Sequence, residues 1–565
     1  MKLTKISIDN FRNLNEIKIN LDERINYIVG ENNIGKSNFV YALSKVFGAG
    51  TFSESDFFNA IKPIVIEFTM LLSDDEIGIF DELCDPLTPN QINIVAAQES
   101  PDDYIMFSHK ESGTPLQASL IRRINLLHYD SMRSQLSDLS FSKQKGPGAL
   151  LNFVLQKYIH DKEPTFITED LSTELQEYTQ TVFDRIGSLK KYGIHTQIVG
   201  NSIDLLSKII VLEDNNSISI TDSGCGIQFS TLIVLSLFSK IINEYKNTQK
   251  KGEVLSNFQS LLVFDEPEVH LHPFAQRNLI FDLLKITSNK DEAFLNLIEE
   301  LFGIKSFEGQ IIVVTHSPNI ITENYEQIVR FYKENDKTKV VCGKNIDLGN
   351  EKKQLYILFP FVKEAIFSKS AIVVEGDSEY ACIPAFAVKL GTRLDEQGIL
   401  VIKAGGAESI IPLMNLLEKF CIPAVGIPDK DKMKPAWALR PDVFCTTTKC
   451  FESEIMQVLS EKEKLQTIIN IVETYDSKKT DRELQADAIN KRINNYEMSF
   501  PLVSKSYKLK EASVQTDLFT VLYTTWLDIN KGIILGKLIG ESLSKDEIPS
   551  CYQNAIKKAI EFSAR

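Results

Sequence analysis

The chain has 565 residues, of which 43% are hydrophobic and 24% charged, so it can form roughly two to four soluble domains with sizeable cores. Its formal net charge of −14 argues against a protein that coats DNA by electrostatic attraction alone. Local patches and bound divalent cations can reverse the field at one site, so nucleic acid is not excluded. The eight cysteines are scattered without a C-x-x-C pair, which makes a disulfide framework or a zinc site unexpected.

The first residues, MKLTKISIDNFRNL, alternate between apolar and polar side chains and predict a β-strand, not a signal peptide. The sequence shows no run of about 18 apolar residues, and we therefore expect a cytoplasmic protein that does not act at a membrane. Phe11 and Arg12 resemble the start of the SMC/RecF-like branch of ABC ATPases. Arg12 either contacts nucleotide or is an ordinary surface arginine.

The stretch INYIVGENNIGKSNFVYAL predicts a strand, a loop and a helix, and it fits the pattern G-x-x-x-x-G-K-[ST] at Gly30, Gly35, Lys36 and Ser37. The glycines allow backbone N–H groups to surround phosphates, and the Lys36 ammonium can reach the β- and γ-phosphates of ATP. The Ser37 hydroxyl can bind Mg²⁺, and Asn33 and Asn38 are further candidate nucleotide contacts. The alternative is a glycine-rich turn that only caps a helix.

Two segments further along the chain suggest contacts between subunits. Residues 142–201 are polar and helix-like, and they predict an inserted helical arm for dimerisation. The stretch ITDSGCGIQFSTLIVLSLFSKI predicts a strand, a glycine turn and an apolar helix, and Ser223, Gly224 and Gly226 resemble a degenerate ABC signature motif. In ABC ATPases this helix N-terminus faces the ATP held by the other subunit. A plain helix cap is the alternative.

Two buried strands are expected to end in groups that act on ATP. SLLVFDEPEVHLHP ends its strand at Asp265, which can hold Mg²⁺ through water, and at Glu266, which can polarise the attacking water. GQIIVVTHSPNII ends in a turn that contains His316, which can contact the γ-phosphate. These stretches resemble the Walker B motif, D-loop and switch histidine of ABC-type ATPases. A structural histidine remains the alternative for His316.

The C-terminal half begins with AIVVEGDSEYACIP, in which the strand 371–374 is followed by Glu375 and Glu379. A second strand, a Gly-Gly turn and a helix over about 408–420 lead to the apolar strand of FCIPAVGIPDKDKMK, which ends at Asp429 and Asp431. The order βαβαβ predicts a small parallel sheet, and parallel sheets gather functional groups at the carboxyl ends of their strands. Side chains alternate along an extended chain, so Asp429 and Asp431 would face the same side.

Clustered carboxylates repel one another unless a cation neutralises them. Oxygen ligands without His or Cys indicate Mg²⁺, Mn²⁺ or Ca²⁺, and two such ions could activate water and stabilise the leaving 3′-oxygen of a phosphodiester. The alternatives are a helix N-terminal carboxylate for Glu379 and a solvated turn for Asp429 and Asp431.

The acidic pattern resembles a Toprim domain, and that resemblance implies two further site residues. An acidic residue in VFCTTTKCFESEIMQVL would complete the second metal site; Glu452 fits best and Glu454 competes, with a plain amphipathic helix start as the alternative. A basic residue near the scissile phosphate would be Lys531, with Lys537 as a substitute, in the predicted helix WLDINKGIILGKLIGESL. Either lysine can instead be merely solvated.

The fold class is therefore predicted as α/β: an ABC-type ATPase domain over 1–345 with the inserted dimerisation segment, followed over 346–565 by a Toprim domain with a helical appendage. This combination without long coiled coils resembles the OLD (overcoming lysogenization defect) family of endonucleases and, within it, the nuclease subunits of Gabija anti-phage systems.

The resemblance implies a metal-dependent DNA endonuclease gated by ATP in a homodimer or higher homo-oligomer, acting alone, with a partner helicase or beside a retron reverse transcriptase. The rival interpretation is a RecF/SMC-like repair ATPase that binds DNA without cutting it, which leaves the carboxylates unexplained. A topoisomerase, a primase and a transporter ATPase fit less of the chain.

Overall fold

A computed structural model describes residues 1–80, 83, 87–129, 148–162, 169–198, 210–213, 218–219, 222, 224–321, 324–349, 352–476 and 483–564. The chain divides into two compact units. The first unit contains Met1–Tyr332 and Lys337–Asn345, and the second contains Lys333–Asp336 and Ile346–Arg565.

The strands of the first unit are, in chain order, β1 (Lys2–Asp9), β2 (Ile17–Asn20), β3 (Ile25–Gly30), β4 (Ile64–Leu71), β5 (Gln91–Gln98), β6 (Met106–His109), β7 (Pro115–Leu116), β8 (Asn125–Tyr129), β9 (His195–Ile198), β10 (Ile210–Glu213), β11 (Asn257–Asp265), β12 (Ser306–Val314), β13 (Ile328–Glu334) and β14 (Lys337–Cys342). Its α-helices are α1 (Lys36–Phe47), α2 (Asp74–Ile77), α3 (Ala118–Ile121), α4 (Ala149–Lys162), α5 (Glu169–Asp184), α6 (Gly187–Lys191), α7 (Cys225–Lys250), α8 (Pro273–Thr287) and α9 (Glu292–Phe302).

Two six-stranded sheets form this unit. The first has the order β2-β1-β4-β5-β6-β7 and is antiparallel throughout. Ile6 and Ile8 on β1 are buried while Lys5 and Asp9 are exposed, which is the alternation expected of a sheet with one face on the core. The second sheet has the order β14-β13-β3-β12-β11-β8.

The second sheet carries the nucleotide motifs because of its parallel core. The pairs β13–β3, β3–β12, β12–β11 and β11–β8 are all parallel, and all six residues of β3 are buried. β12 lies between β3 and β11, with Asp265 opposite Val314. The carboxyl ends of these three strands therefore meet at one edge of the sheet.

The long helix α7 packs inside the first unit. The portion from Gly226 to Lys250 is long and apolar enough to cross a membrane by length and composition, but 72% of its most apolar window is buried within the described structure. Because a core helix passes the same test, this is weak evidence for a membrane span.

The strands of the second unit are β15 (Ser370–Val374), β16 (Ile399–Lys403), β17 (Ala424–Ile427), β18 (Glu483–Leu484) and β19 (Tyr507–Lys508). Its α-helices are α10 (Lys352–Ala365), α11 (Asp377–Lys389), α12 (Ile410–Lys419), α13 (Phe451–Glu461), α14 (Leu465–Asp476), α15 (Ala486–Asn495), α16 (Asp517–Ile529), α17 (Ile533–Ser542) and α18 (Ser550–Ser563). The first three strands form the small parallel sheet that the sequence predicts, in the order β16-β15-β17.

Two local expectations about this unit are wrong. The predicted helix around Lys531 is broken: α16 ends at Ile529 and α17 begins at Ile533 after Gly532, whose φ of 148° favours glycine. The chain is also not extended through Asp429 and Asp431, because one 3₁₀ turn starts at Lys430. The alternation argument for this pair of carboxylates therefore does not apply.

Candidate nucleotide and metal sites

The phosphate loop between β3 and α1 is shaped by two glycines. Gly30 has φ of 134°, and a Cβ there would lie 2.1 Å from the carbonyl oxygen of Phe331; Gly35 has φ of 111°. The Lys36 ammonium curls back over the loop and donates to the carbonyl oxygens of Gly30 at 2.9 Å and Glu31 at 2.5 Å. The loop thus holds the Lys36 ammonium at a position where a bound phosphate could replace the two carbonyl oxygens as its partners. Ser37, the next residue, is exposed.

The acidic end of β11 is tied to the histidine turn after β12. Glu266, which follows Asp265, has the left-handed φ of 50°, and its N–H donates to Val314 O at 2.9 Å. Its Oε1 lies 3.3 Å from His316 Nε2. Glu268 accepts hydrogen bonds from Thr315 Oγ1 at 2.9 Å and from the His316 N–H at 2.6 Å. The left-handed backbone at a glutamate costs about 1 kcal/mol, so this turn is held by its contacts.

Charges in this site are mutually compensating. Burial lowers the pKa of Lys36 to about 8, although Glu266 and Asp265 act in the opposite direction. Burial and the charge of Lys36 also lower the pKa of His316. A phosphate anion would stabilise the Lys36 ammonium, which burial removes from water, so these residues fit a nucleotide.

Arg12 and the two asparagines surround the outer side of the loop. The Arg12 guanidinium pairs with Asp56 at 2.7 Å, donates to Asn38 Oδ1 at 2.6 Å and lies 4.4 Å over the Tyr41 ring. Asn33 is exposed, with a positive φ of 59°. Arg12 is thus anchored by side chains of this unit instead of being a loose surface residue.

Two of the three residues assigned to the signature motif lie at the start of α7. Gly224 is its N-cap, without a side-chain cap, and Gly226 lies in its first turn, whereas Ser223 falls outside the described residues. A contact with ATP on another subunit stays a prediction.

The second unit brings together five carboxylates, called here the carboxylate cluster: Glu375, Glu379, Asp429, Asp431 and Glu452. Glu375 follows β15, Glu379 lies in the first turn of α11 and Glu452 in the first turn of α13, while Asp429 and Asp431 follow β17. The Asp429 N–H donates to the Glu375 carboxylate. The cluster therefore joins three segments that are distant in sequence: the turn from β15 to α11, the end of β17 and the start of α13.

Burial and mutual repulsion dominate the electrostatics of the cluster. Burial raises the pKa of Asp429 to about 9, with further increases from Glu379, Glu375 and Glu452. Burial likewise raises the pKa of Glu379 to about 7, and it raises the pKa of Glu375 and of Glu452. Without a cation, protons would neutralise part of this cluster.

The donor set fits a divalent cation. Glu375 Oε2 is buried and has no hydrogen-bond partner among the described residues. Within the same part of the chain, no three acidic, His or Cys side chains already stand at coordination distances. The mutual pKa shifts are compatible with the lack of a preformed coordination group, because charges interact over longer distances than metal–oxygen bonds. The carboxylates repel one another, and a bound cation would bring them closer together. Glu375 is therefore the first candidate ligand.

The structure separates the two competing glutamates of α13. Glu454 accepts hydrogen bonds from the N–H groups of Thr447 and Thr448, both at 2.8 Å, and from the hydroxyls of both. Its carboxylate thus shapes the loop before α13. Glu452 instead adds its charge to Glu379 and Asp429.

The two candidate lysines also differ. Lys531 lies in the break before α17, its charge acts on Glu452 and Glu375, and its Nζ is 3.3 Å from Asp528 Oδ1. Lys537 is 3.8 Å from Glu541 on the exposed side of α17. Lys531 is therefore the lysine that faces the carboxylate cluster.

Sequence reasoning missed the elements that place Lys531. Asp528 also accepts from Arg492 Nε and from the Tyr496 hydroxyl, each at 2.8 Å. The Gly532 N–H donates to Ser378 Oγ at 3.1 Å, and a Cβ at Gly536 would lie 2.2 Å from Ser378 O. The glycine spacing 532, 536, 540 was a signal for such close helix packing, because these positions share one helix face.

Comparison with known proteins agrees with this geometry. The family model described as "AAA ATPase domain" matches residues 1–145 and 142–321, which together cover more than half of the chain. The chain belongs to the AAA ATPase domain family. Residues 366–431 match the model "Overcoming lysogenization defect protein-like, TOPRIM domain". An ATPase domain followed by a Toprim domain is thus confirmed, as is the resemblance to OLD proteins.

Several relatives carry names that bear on function. The chain is 23% identical over 472 residues to the OLD nuclease of Thermus scotoductus, covering 76% of this chain and 82% of the relative. It is 24% identical over 457 residues to the endonuclease GajA of Bacillus cereus, covering 72% and 71%. It is 26% identical over 298 residues to the replication and repair protein RecF of Halothermothrix orenii, covering 51% and 74%. The matches support the expectation of an ATPase and endonuclease.

Proposed function

We propose that the protein is an ATP-gated DNA endonuclease that hydrolyses phosphodiester bonds with Mg²⁺ or Mn²⁺ held by the carboxylate cluster. The observation that carries this proposal is the buried Oε2 of Glu375, which has no hydrogen-bond partner among the described residues and lies among carboxylates whose pKa values burial raises. Such an arrangement is costly in a folded protein unless a cation offsets it.

The residues of the second unit have distinct roles in this function. Glu375, Glu379, Asp429, Asp431 and Glu452 would hold the cations, which when bound supply an activated water and stabilise the leaving oxygen. Lys531 would contact a non-bridging oxygen of the scissile phosphate, since it is the exposed cation beside Glu452. Asp528 positions Lys531, and Glu454 positions the loop before α13.

The first unit supplies the gate. Gly30, Asn33, Gly35, Lys36 and Asn38 would surround the phosphates of ATP, with Ser37 and Asp265 holding its Mg²⁺. Glu266 polarises the attacking water, and His316 senses the γ-phosphate through its contact with Glu266. Ser223, Gly224 and Gly226 of a second copy would close the site, which makes the working form a homodimer or higher homo-oligomer through residues 1–345.

The biological role follows from the names of the relatives. Because one relative is an endonuclease named GajA and another is named a Septu protein, we assign this chain to bacterial anti-phage defence in the cytoplasm. It would then act alone, with a partner helicase or beside a retron reverse transcriptase. We place the domain boundary at 345/346 and give the inserted segment 142–201 the dimerisation role.

The second candidate is a RecF-like ATPase that binds DNA without cutting it. The match to RecF supports this alternative, but it covers 51% of the chain, whereas the OLD nuclease match covers 76%. The alternative gives no reason for the carboxylate cluster.

The experiment is cleavage of plasmid and linear DNA by purified protein with Mg²⁺ or Mn²⁺, with and without ATP. We expect metal-dependent cutting that is lost in Glu375→Ala and whose response to ATP is lost in Lys36→Ala. Cutting that persists in Glu375→Ala would contradict the assigned site. Absence of cutting by the wild type, also with the neighbouring gene's product added, would favour the RecF-like alternative.

A further inference from the structure

A cavity of about 650 Å³ lies in the second unit next to the carboxylate cluster. Its walls come from the 430–431 turn, from α13 and α16, and from the residues after α15. Asp431 belongs to both the cavity and the cluster. A volume of this size is typical of pockets that take a small molecule or one unit of a polymer.

Besides Asp431, a chain of hydrogen bonds through Asp528 links the cavity to the proposed cleavage site. Tyr496 lines the cavity, and its hydroxyl donates to Asp528 Oδ1 at 2.8 Å. The same Oδ1 lies 3.3 Å from the Nζ of Lys531, the lysine assigned to the scissile phosphate. Whatever occupies the cavity would therefore lie beside the phosphodiester group held by the cluster and Lys531.

The apolar part of the wall suits the face of a nucleobase. Met456, Tyr496 and Met498 line it, and Met456 is fully buried behind the surface. Aromatic rings bind bases by stacking and do so with every base, while thioethers adapt to flat ring edges. Gln457 and Glu461 lie at the same wall, where Gln457 Nε2 donates to Glu461 Oε1 at 2.6 Å. The amide oxygen of Gln457 and the second carboxylate oxygen of Glu461 are the groups that this pair could present to a base edge.

The charged part of the wall suits a phosphate. Lys430 and Lys449 line the cavity. Lys430 Nζ donates to Thr447 O at 2.6 Å; Lys449 Nζ donates to Asn495 O and to Glu497 Oε1, both at 2.7 Å. An ammonium has three donors, so both lysines retain one for an incoming anion. Glu497 lines the cavity as well and is already paired.

We propose that this cavity binds one unpaired nucleotide of the substrate strand next to the cut. This rests on the proposed nuclease function, because the adjacent phosphodiester identifies the ligand class. A base reaches such a cavity only outside a duplex, so the enzyme favours DNA with an unpaired nucleotide beside the cleavage site.

The test compares base and phosphate contacts in the full-length protein with Glu375→Ala added to prevent cutting. Fluorescence anisotropy measures binding of a 20-nucleotide oligothymidylate, an abasic strand of the same length and a blunt duplex. Thr520→Trp fills the cavity from α16, and Thr474→Trp is the matched control at an exposed position of α14. Met498→Ala is a second, less disruptive variant, and thermal melting reports folding.

We expect Thr520→Trp to weaken oligothymidylate binding about tenfold, since stacking of one base is worth roughly 1–3 kcal/mol. Met498→Ala should weaken it less, and the abasic strand, the duplex and the Thr474→Trp control should change by less than about twofold. Equal weakening of oligothymidylate and abasic strand, or no weakening in either cavity variant, would overturn the proposal.

Competition with free thymidine monophosphate distinguishes a cavity that binds a free nucleotide from one that binds a nucleotide within the DNA strand. If thymidine monophosphate displaces oligothymidylate from the Glu375→Ala protein with an unaltered cavity, but oligothymidylate and the abasic strand bind equally well, the cavity serves a free nucleotide and the proposed strand contact is wrong. Failure of the nuclease function is a separate result, seen as absent metal-dependent cutting by the wild type, and it leaves these binding measurements readable.

Discussion

The nucleotide loop and the carboxylate cluster present opposite electrostatic problems. Lys36 is a buried cation with two carbonyl partners and with Asp265 and Glu266 close enough to offset its charge. The carboxylate cluster contains buried anions, and the lysines that face it, Lys432 and Lys531, have side chains that are 52% and 62% exposed.

The difference indicates what each site requires. In the loop, two carbonyl partners and the nearby carboxylates offset part of the cost of burying Lys36, and a bound phosphate would add to that compensation. In the cluster, burial and the neighbouring carboxylates raise the pKa of Asp429 to about 9, although Lys432 and Lys531 lower that of Glu375. A cation of charge two, rather than a lysine, is therefore the group that matches the cluster.

The largest effect should come from the cluster. Glu375→Gln keeps the size of this side chain and removes its charge, and we expect cutting to fall about 1,000-fold because cation binding is lost. ATP hydrolysis should be unchanged. Initial rates on supercoiled plasmid measure this, with Glu396→Gln at an exposed ion pair as control. An equal loss in both variants would mean a general charge effect.

The corresponding experiment in the first unit changes the phosphate loop. Lys36→Ala removes the ammonium, and ATP hydrolysis should fall about 100-fold because the charge opposite the transferred phosphate is gone. Metal-dependent cutting without ATP should persist, since the cluster does not need Lys36. Phosphate release and plasmid cutting are measured together, and Lys45→Ala on α1 is the control. Loss of cutting without ATP would show that the two sites are not separable.

Glu452→Gln should mainly reduce DNA cleavage, whereas Glu454→Gln should mainly reduce stability. The first should reduce cutting about 10- to 100-fold at unchanged stability, because it weakens cation binding. The second should lower the free energy of unfolding by about 1–3 kcal/mol, because the partly buried donors of Thr447 and Thr448 lose a carboxylate acceptor. The two tryptophans, Trp437 and Trp526, both lie in the second unit, so their fluorescence during urea unfolding reports on it. The reverse pattern would exchange the two roles.

Lys531→Ala should reduce cutting roughly tenfold, because an exposed charge acts on the phosphate through a high local dielectric. Lys537→Ala is the matched variant on the neighbouring helix and should cut as the wild type does. Rates at low and high salt give the measurement, since the loss should be larger at low ionic strength. Equal losses in both variants would assign the effect to general attraction of DNA.

The smallest effect concerns Asp528 and is pH-dependent. Burial raises its pKa, but hydrogen bonds from Tyr496 and Arg492 outweigh burial, and the pKa lies below its usual value. A carboxylate with a depressed pKa stabilises the fold above the unfolded-state pKa, and that contribution is lost as pH falls through the folded-state value. Asp528→Asn should therefore cost about 1 kcal/mol at pH 7. Urea unfolding at pH 7, 5 and 4 should show a constant difference that narrows only near the lowest pH.

Most of the fold follows from local sequence patterns. Short-range patterns predict the type of several elements: the alternation in MKLTKISIDN, the fully buried β3 and the βαβαβ order of the second unit. The break between α16 and α17 was missed because Lys531 and Gly532 interrupt an otherwise helical composition. A single glycine is tolerated in helices, so only its φ and its contact with Ser378 reveal the break.

The sequence by itself predicted the location of both candidate sites, because a phosphate loop and acidic strand ends need particular residue types at fixed local spacing. That local signal was enough to propose Gly30, Lys36, Asp265, Glu375 and Asp429. Only the tertiary structure decided that Glu452 faces the cluster while Glu454 binds a loop, and that Lys531 rather than Lys537 approaches it. Those choices depend on how helices more than 70 residues after β15 pack against it, and neighbouring residues in sequence carry no information about that packing.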